Sequence, residues 1–170
     1  MKNILILGQH NSAEVQSVAR VASQSGCSAI VLNSQDIPDK VSIEYWPNDD
    51  AAQLVFGQQS FPVSRLSGVY WARVDPPKPA NIQNIAQTES IGLESTCLLQ
   101  LLLNEDKLNW VNSLKAVQFH RTKPKQLQLA KSLGANIPPS YVGNRILAIQ
   151  EFLSYYPKAT YKPIFAGELT

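Results

Sequence analysis

Two lysines near the carboxyl end of the sequence have the chemistry to bind an anion. Lys123 precedes Pro124 at the start of a predicted helix, where an ammonium group is unfavourable against the helix dipole unless an anion binds nearby. The alternative for Lys123 is a solvated side chain at a fraying helix end. Lys162 lies in an otherwise apolar segment, 159–165, that we predict to be a strand, and a cation there needs a partner or an anionic ligand. A turn with Gly167 follows, and such turns can offer backbone N–H groups to phosphate oxygens.

Arg73 is a third cation at a position suited to a ligand. It lies at the end of a predicted strand, 67–74, and strand ends in parallel sheets border ligand crevices. A guanidinium group there could hold a carboxylate or phosphate through two hydrogen bonds. The alternative is an ion pair with Asp75 or with an acidic residue of the preceding helix.

The turn at 8–12 (GQHNS) follows the first predicted strand, which is where α/β proteins bind phosphate. It contains one glycine and therefore matches neither glycine-rich phosphate-binding pattern. We interpret it as a strand-to-helix turn with Asn11 as a capping residue, and His10 as an exposed polar side chain.

The elements that position these residues predict an α/β fold. A strand, a helix that ends at Gly26 and a second strand follow one another within about thirty residues, which is typical of a βαβ unit in a parallel sheet. The sequence predicts strands at 2–8, 28–32, 41–46, 53–56 and 67–74, and a helix at 84–104 with Leu98, Leu101 and Leu102 on its inner side.

The two parts of the chain differ in the sign of their net charge. Residues 1–106 carry six Lys and Arg against eleven Asp and Glu, whereas residues 107–170 carry nine against two. We therefore predict two domains, 1–113 and a basic module at 114–170. In the basic module we predict helices at 124–134 and 145–156, and at best an edge strand at 137–142, because Pro138 and Pro139 cannot donate to a sheet.

Composition excludes several classes of protein. The net charge of +2 is too small to indicate a nucleic-acid partner, and no apolar stretch is long enough to span a membrane. No signal peptide is recognisable, so we expect a cytoplasmic protein. The two cysteines are expected to be buried thiols, and the absence of a Cys/His cluster argues against structural zinc.

At these residues the sequence resembles the ATP-grasp ligases, above all the microviridin-type maturases that modify ribosomally made peptides, and more distantly the RimK-like ligases. The matching segments are Val69–Arg73, Trp110–Asn112, Lys123–Leu127, Gly134 with Ile137-Pro138, Tyr161-Lys162-Pro163 and Ala166–Glu168. Ala72 stands where the family often has a further arginine.

The resemblance implies a pre-ATP-grasp domain with a Rossmann-like parallel sheet at 1–113, followed by the start of an ATP-grasp α+β lobe at 114–170. It implies that Lys123 and Lys162 contact the ATP phosphates or the adenine edge, and that Gly167 begins the loop that closes over the phosphates. In this family ATP phosphorylates a carboxylate, and an amine or hydroxyl then displaces the phosphate. The implied cofactors of the complete enzyme are ATP and Mg²⁺, and the implied partner is a ribosomal precursor peptide or another carboxylate substrate.

Family members continue well past residue 170, and the hinge strand and the Mg²⁺-binding residues have no counterpart in this sequence. We therefore expect the amino-terminal half of such a ligase, inactive by itself. An open apolar edge at 159–165 would favour a homodimer, aggregation or pairing with a complementing carboxyl-terminal half. Two other hypotheses stay open: a non-catalytic module that binds a peptide or partner chain, and a flavodoxin-like or Rossmann-like nucleotide binder unrelated to ligases.

Overall fold

The computed structural model describes residues 2–80, 84–162 and 164. The chain divides into two compact units, Met1–Leu114 and Lys115–Thr170, which we call the amino-terminal and carboxyl-terminal units. Gly167, the turn predicted around it and Pro163 lie outside the described residues.

The strands are β1 (Lys2–Leu7), β2 (Cys27–Leu32), β3 (Val41–Trp46), β4 (Ala51–Phe56), β5 (Gln59–Pro62), β6 (Leu66–Trp71) and β7 (Trp110–Val111). The α-helices are α1 (Ala13–Gln24), α2 (Ile85–Leu103), α3 (Leu114–Arg121), α4 (Lys123–Ser132) and α5 (Ile146–Tyr155).

A four-stranded parallel sheet in the order β2-β1-β6-β7 forms the centre of the amino-terminal unit. Its middle strand β1 is aliphatic because both faces of such a sheet are covered, and Leu5, Ile6 and Leu7 have no exposed surface. Helix α1 contributes Val15 and Ala22 to the core. The predicted βαβ unit and parallel sheet are confirmed.

Helix α2 differs from the expectation. Leu102 is buried, but Leu98 and Leu101 are 37% and 53% exposed, so the prediction of an inner side formed by all three is wrong. The buried stripe is Ser95, Leu99, Leu102 and Leu103, with the three- and four-residue spacing of one helix face. Leu98 and Leu101 are of a residue type that is common in cores, but they lie on the side of the helix that is exposed to solvent.

Strands β3, β4 and β5 form a separate antiparallel sheet. Alternation in β3 buries Val41 and Ile43, as the period-two pattern predicts. Gly57 turns the chain between β4 and β5 with φ +60°, a conformation that favours glycine. The sequence reading missed β5, which is short, and β7, which has only two residues.

The carboxyl-terminal unit is helical and irregular over its described residues. The strand predicted at 137–142 is absent, and residues 159–162 of the strand predicted at 159–165 are irregular as well. A strand needs a hydrogen-bonded neighbour, and the described part of this unit supplies none. The prediction of an open sheet edge, and the self-association argued from it, therefore lose their basis in the described residues.

No side chain described in the carboxyl-terminal unit is fully buried. Among residues 2–80, 84–162 and 164, no helix combines the length and the apolar character needed to cross a membrane.

Candidate functional site

A cavity of about 560 Å³ lies within the carboxyl-terminal unit. It is bordered by the start of α4, by the irregular chain before α5, by one face of α5 and by the chain that follows α5. Lys123, Lys158 and Lys162 line it, and no described carboxylate does. The rest of its lining is mostly apolar and aromatic, and includes Leu127, Pro138, Pro139, Tyr141, Val142, Phe152 and Tyr156.

Lys123 is the first residue of α4, one position before the predicted helix start at 124, and is partly buried. Thr122 occupies the N-cap position, but its side chain forms no capping hydrogen bond. The positive end of the helix dipole and the ammonium group therefore lie together at one wall of the cavity, and an anion bound there would interact with both.

Lys162 lines the same cavity, but its local backbone structure and exposure differ from the prediction. Its side chain is exposed and belongs to an irregular segment, so the expectation of a lysine enclosed in an apolar strand is wrong. Both lysines nevertheless line one cavity. The structure thus brings the two predicted residues together, while Gly167, the third, lies outside the described residues.

Aromatic rings form the apolar wall of the cavity. The centroid of the Phe152 ring lies 4.9 Å from that of Tyr156 and 6.0 Å from that of Tyr141. Gly143 approaches the Tyr141 ring so closely that a Cβ atom at this position would lie 2.8 Å from the ring carbon Cζ. An apolar wall facing several ammonium groups suits a ligand with one planar and one anionic end.

Arg73 belongs to the amino-terminal unit, just beyond β6. Its Nε donates to both carboxylate oxygens of Asp75 at 2.9 Å, so the structure contains the ion pair that the sequence offered as an alternative. Asp75 also accepts a hydrogen bond from the Gln9 side chain at 3.4 Å. A role for Arg73 in holding a substrate or phosphate stays a prediction.

The loops at the carboxyl ends of β1, β2 and β6 are bonded to one another. The Ser34 hydroxyl donates to the carbonyl of Asp75 at 2.7 Å and accepts from its N–H at 3.0 Å. His10 is exposed, as expected, and lies 3.5 Å from Asp36. This edge of the sheet holds carboxylates and no glycine-rich turn, so it is poorly suited to phosphate and argues against an unrelated nucleotide binder.

The described residues include no group of three or more His, Cys, Asp or Glu side chains that could hold a metal ion. In the carboxyl-terminal unit Glu151 is the one acidic residue within the described part of the chain, and it does not line the cavity. These residues therefore do not fit the Mg²⁺ implied by the resemblance, and no chemical step is assigned to that ion.

The sequence reading missed Lys158, Tyr141 and Phe152 as cavity residues. Phe152 could have been found from its place four residues before Tyr156, because residues with this spacing share one face of the helix predicted at 145–156. Lys158 lies beyond the helix end, where sequence periodicity carries no information. Nothing in the sequence indicated Tyr141.

No protein-family model matches the chain, and no curated protein matches it. Solved structures do match over nearly its whole length. Macrocyclase MdnB from Microcystis aeruginosa MRC has a TM-score of 0.79 at 23% identity, with 91% of this chain and 52% of that chain covered. Macrocyclase MdnC, solved with the precursor peptide MdnA from the same organism, has a TM-score of 0.80 at 19% identity with the same coverage. ATP-grasp ligase PsnB, solved with a minimal precursor, has a TM-score of 0.77 at 24% identity, covering 98% and 55%.

The chain has the α/β fold found in part of the peptide-modifying ATP-grasp ligases, and the resemblance read from the sequence is confirmed at the level of the fold. It spans about half the length of these solved ligases.

Proposed function

We propose that this chain is the amino-terminal part of an ATP-dependent carboxylate–amine or carboxylate–hydroxyl ligase that modifies a ribosomally made peptide through an acyl phosphate. In this proposal residues 1–113 form the pre-ATP-grasp domain and residues 114–170 begin the ATP-grasp domain. The fold likeness supports the class of protein, and PsnB has been solved with a minimal precursor, Mg and ADP.

The observation that carries the proposal is the cavity that Lys123 and Lys162 share. An ATP molecule needs cations for its phosphates and an apolar surface for its base, and this cavity offers both. Lys123 adds the amino-terminal end of α4, whose dipole attracts anions. The rings of Tyr141, Phe152 and Tyr156 provide the surface on which a planar base could pack.

These residues would bind ATP and orient its phosphates. Lysines on two sides of the cavity would hold the phosphates and neutralise their charge, which is the main protein contribution in phosphoryl transfer. The residues that hold Mg²⁺ and complete the site would be supplied by the remaining part of the ligase. As this chain alone, the protein is proposed to bind ATP without turning it over.

The test is calorimetric titration of the whole chain with ATP. Lys123→Ala and Lys162→Ala should each weaken binding by about tenfold or more, because a hydrogen bond to a charged group contributes about 1.5–3 kcal/mol. The matched control is Lys131→Ala, which removes the same charge from the exposed last turn of α4, outside the cavity. Absence of ATP binding by the unaltered chain would overturn the proposal.

A second candidate function is a non-catalytic module that binds a peptide. Residues 115–170 carry eight Lys and Arg against two Asp and Glu, which suits an acidic peptide. MdnC and PsnB have both been solved with precursor peptides. Binding of an acidic peptide that ATP does not compete for, together with no ATP binding, would favour this candidate.

A further inference from the structure

Helix α2 carries an exposed apolar stripe on the side opposite its buried one. Leu93, Cys97 and Leu101 recur every four residues. Cys97 lies two positions from each of the buried residues Ser95 and Leu99, which places it about half a turn away from them. Leu93 and Leu101 are 68% and 53% exposed, and Cys97 is exposed as well. The expectation that both cysteines are buried is therefore wrong for Cys97.

The stripe has the composition of a contact surface. Leucine and free cysteine are among the residues most often found buried. The helix contains no lysine or arginine, and its two charged residues, Glu89 and Glu94, lie on either side of the stripe. Adjoining apolar side chains on an exposed surface mark sites of association with another protein. We therefore expect another helix to cover this face of α2.

The stripe is self-complementary, which favours a second copy of this chain as the occupant. A twofold axis beside Cys97 would set two copies of α2 antiparallel, with the two Cys97 residues opposite each other. Leu93 would then lie opposite Leu101 of the second copy, since both are four residues from Cys97. Glu94 would lie opposite Gln100 by the same symmetry, so its charge would not face a like charge.

We propose that the chain forms a reversible homodimer in which α2 packs antiparallel against α2 of a second copy. A contact between one pair of helices is smaller than a standard interface of about 1,200–2,000 Å², so dimerisation should depend on protein concentration. The inference goes beyond the proposed function and does not rest on it, because no residue that lines the cavity bordered by Lys123 and Lys162 belongs to α2.

Sedimentation over a series of protein concentrations tests the proposal. Leu93→Lys and Leu101→Glu each introduce a charge into an apolar contact, so each should weaken dimerisation by about tenfold or more. Mixing the two variants should restore the dimer, because the new ammonium group of one copy then faces the new carboxylate of the other. The matched control is Val21→Lys, a similar change at a 56% exposed position of α1, which should alter the dimerisation constant by less than about twofold.

Cross-linking tests the register of the two helices. Helix axes about 8–10 Å apart, with Cα atoms about 2.3 Å from each axis, bring facing Cα atoms within about 5.5 Å of one another. That distance permits a disulfide, so diamide, which takes up the two thiol hydrogens, should link two copies of a Cys27→Ser variant through Cys97. Ser90→Cys in a chain without Cys27 and Cys97 should not cross-link, because antiparallel copies would hold the two positions about 21 Å apart along the helix.

The outcomes separate this inference from the proposed function. A chain that stays monomeric up to about 1 mM overturns the inference. A dimer that Leu93→Lys leaves intact, or that the mixed variants do not restore, overturns the assignment to α2. The affinity of Leu93→Lys for ATP should equal that of the unaltered chain, so a failure to bind ATP would count against the proposed function alone. Both leucines are exposed, and thermal unfolding should confirm that the variants fold.

Discussion

Lys123 and Lys162 lie 39 positions apart in the chain and line the same cavity. The first comes from the beginning of a helix and the second from irregular chain, so no single element explains their meeting. Lys162 is exposed, and an exposed charge contributes little to the stability of the fold, whereas a charge-assisted hydrogen bond to an anion contributes strongly to binding. Lys162 therefore makes different predictions for stability and for affinity.

Replacing Lys162 by Gln should separate these two effects. The variant keeps a polar side chain, one atom shorter, and removes its charge, so the stability of the ligand-free protein should change by no more than about 0.5 kcal/mol. Its affinity for ATP should fall by about tenfold, because a charge-assisted hydrogen bond becomes a neutral one. Urea unfolding and ATP titration measure the two quantities. A loss of stability with unchanged affinity would mean that Lys162 has a structural role instead.

Gly143 should matter for binding through the position of the Tyr141 ring. A Cβ atom introduced by Gly143→Ala would lie 2.8 Å from Cζ of Tyr141, so the ring must rotate away from its place at the cavity wall. A displaced rotamer costs about 0.5–1.5 kcal/mol, and we expect ATP to bind about threefold to tenfold more weakly. In a Tyr141→Ala background the same glycine substitution should have no further effect. An equal loss in both backgrounds would show that Gly143 acts independently of Tyr141.

Much of the amino-terminal unit could be predicted because its signals are local. The aliphatic run of β1 and the apolar face of α1 each identify a buried surface, and both appear where expected. Helix α2 was placed correctly, but its inner face was not, since apolar residues occur all around it and only packing against the sheet selects a stripe.

The structure of the carboxyl-terminal unit was harder to predict from the sequence. The chain at 159–162 has a strand-like composition, yet strand formation depends on a neighbouring strand that local sequence cannot reveal. The lysines of the candidate site were recognised by residue type and family resemblance. Their common cavity, and Lys158 within it, depend on how distant segments pack together, which one sequence does not encode in any local pattern.

Ser34 should be a determinant of stability in the amino-terminal unit. Its side chain is almost fully buried, and its hydroxyl both donates to and accepts from the backbone of Asp75. Ser34→Ala removes both bonds and leaves polar backbone groups unpaired, which should lower the free energy of unfolding by about 1–3 kcal/mol. Denaturant unfolding measures this loss. Ser17→Ala, at an exposed position of α1, should stay within about 0.5 kcal/mol of the unaltered protein. Similar effects for both substitutions would contradict the role assigned to Ser34.

Tyr45 should make stability fall at high pH. Burial and the nearby Glu105 carboxylate raise the pKa of its phenol to about 12, whereas an unfolded tyrosine titrates near pH 10. Between these values the native state retains a proton that the unfolded state has lost, so stability present below pH 10 decreases as the pH rises towards 12. Absorbance titration of the phenol and unfolding at several pH values test this. The part of the decline that is due to Tyr45 should be absent in Tyr45→Phe.

The same substitution tests the hydrogen bonding of Tyr45 at neutral pH. Its hydroxyl oxygen is buried and bonds to none of the described residues, so Tyr45→Phe should leave stability unchanged or raise it by up to about 1 kcal/mol. Tyr70→Phe is the matched control, because the Tyr70 hydroxyl donates to Glu14 at 2.7 Å and its removal should destabilise. A loss of stability in Tyr45→Phe equal to that in Tyr70→Phe would show that the Tyr45 hydroxyl has a partner after all.

Gly92 and Gly26 should respond in opposite ways to alanine, because different properties of glycine are used at each. Gly92 lies within α2, and an added Cβ would meet only Pro79 at an ordinary contact distance of 3.8 Å. Since glycine in a helix interior is less favourable than alanine by about 0.8–1.0 kcal/mol, Gly92→Ala should stabilise the protein by about 0.5–1 kcal/mol.

At Gly26 nothing obstructs a Cβ atom, but φ is +75°, which strains any other residue. Gly26→Ala should therefore destabilise by about 1 kcal/mol or more although it has room. Thermal unfolding of the two variants distinguishes the effect of backbone conformation from that of space, and a stabilised Gly26→Ala would contradict the left-handed turn that ends α1.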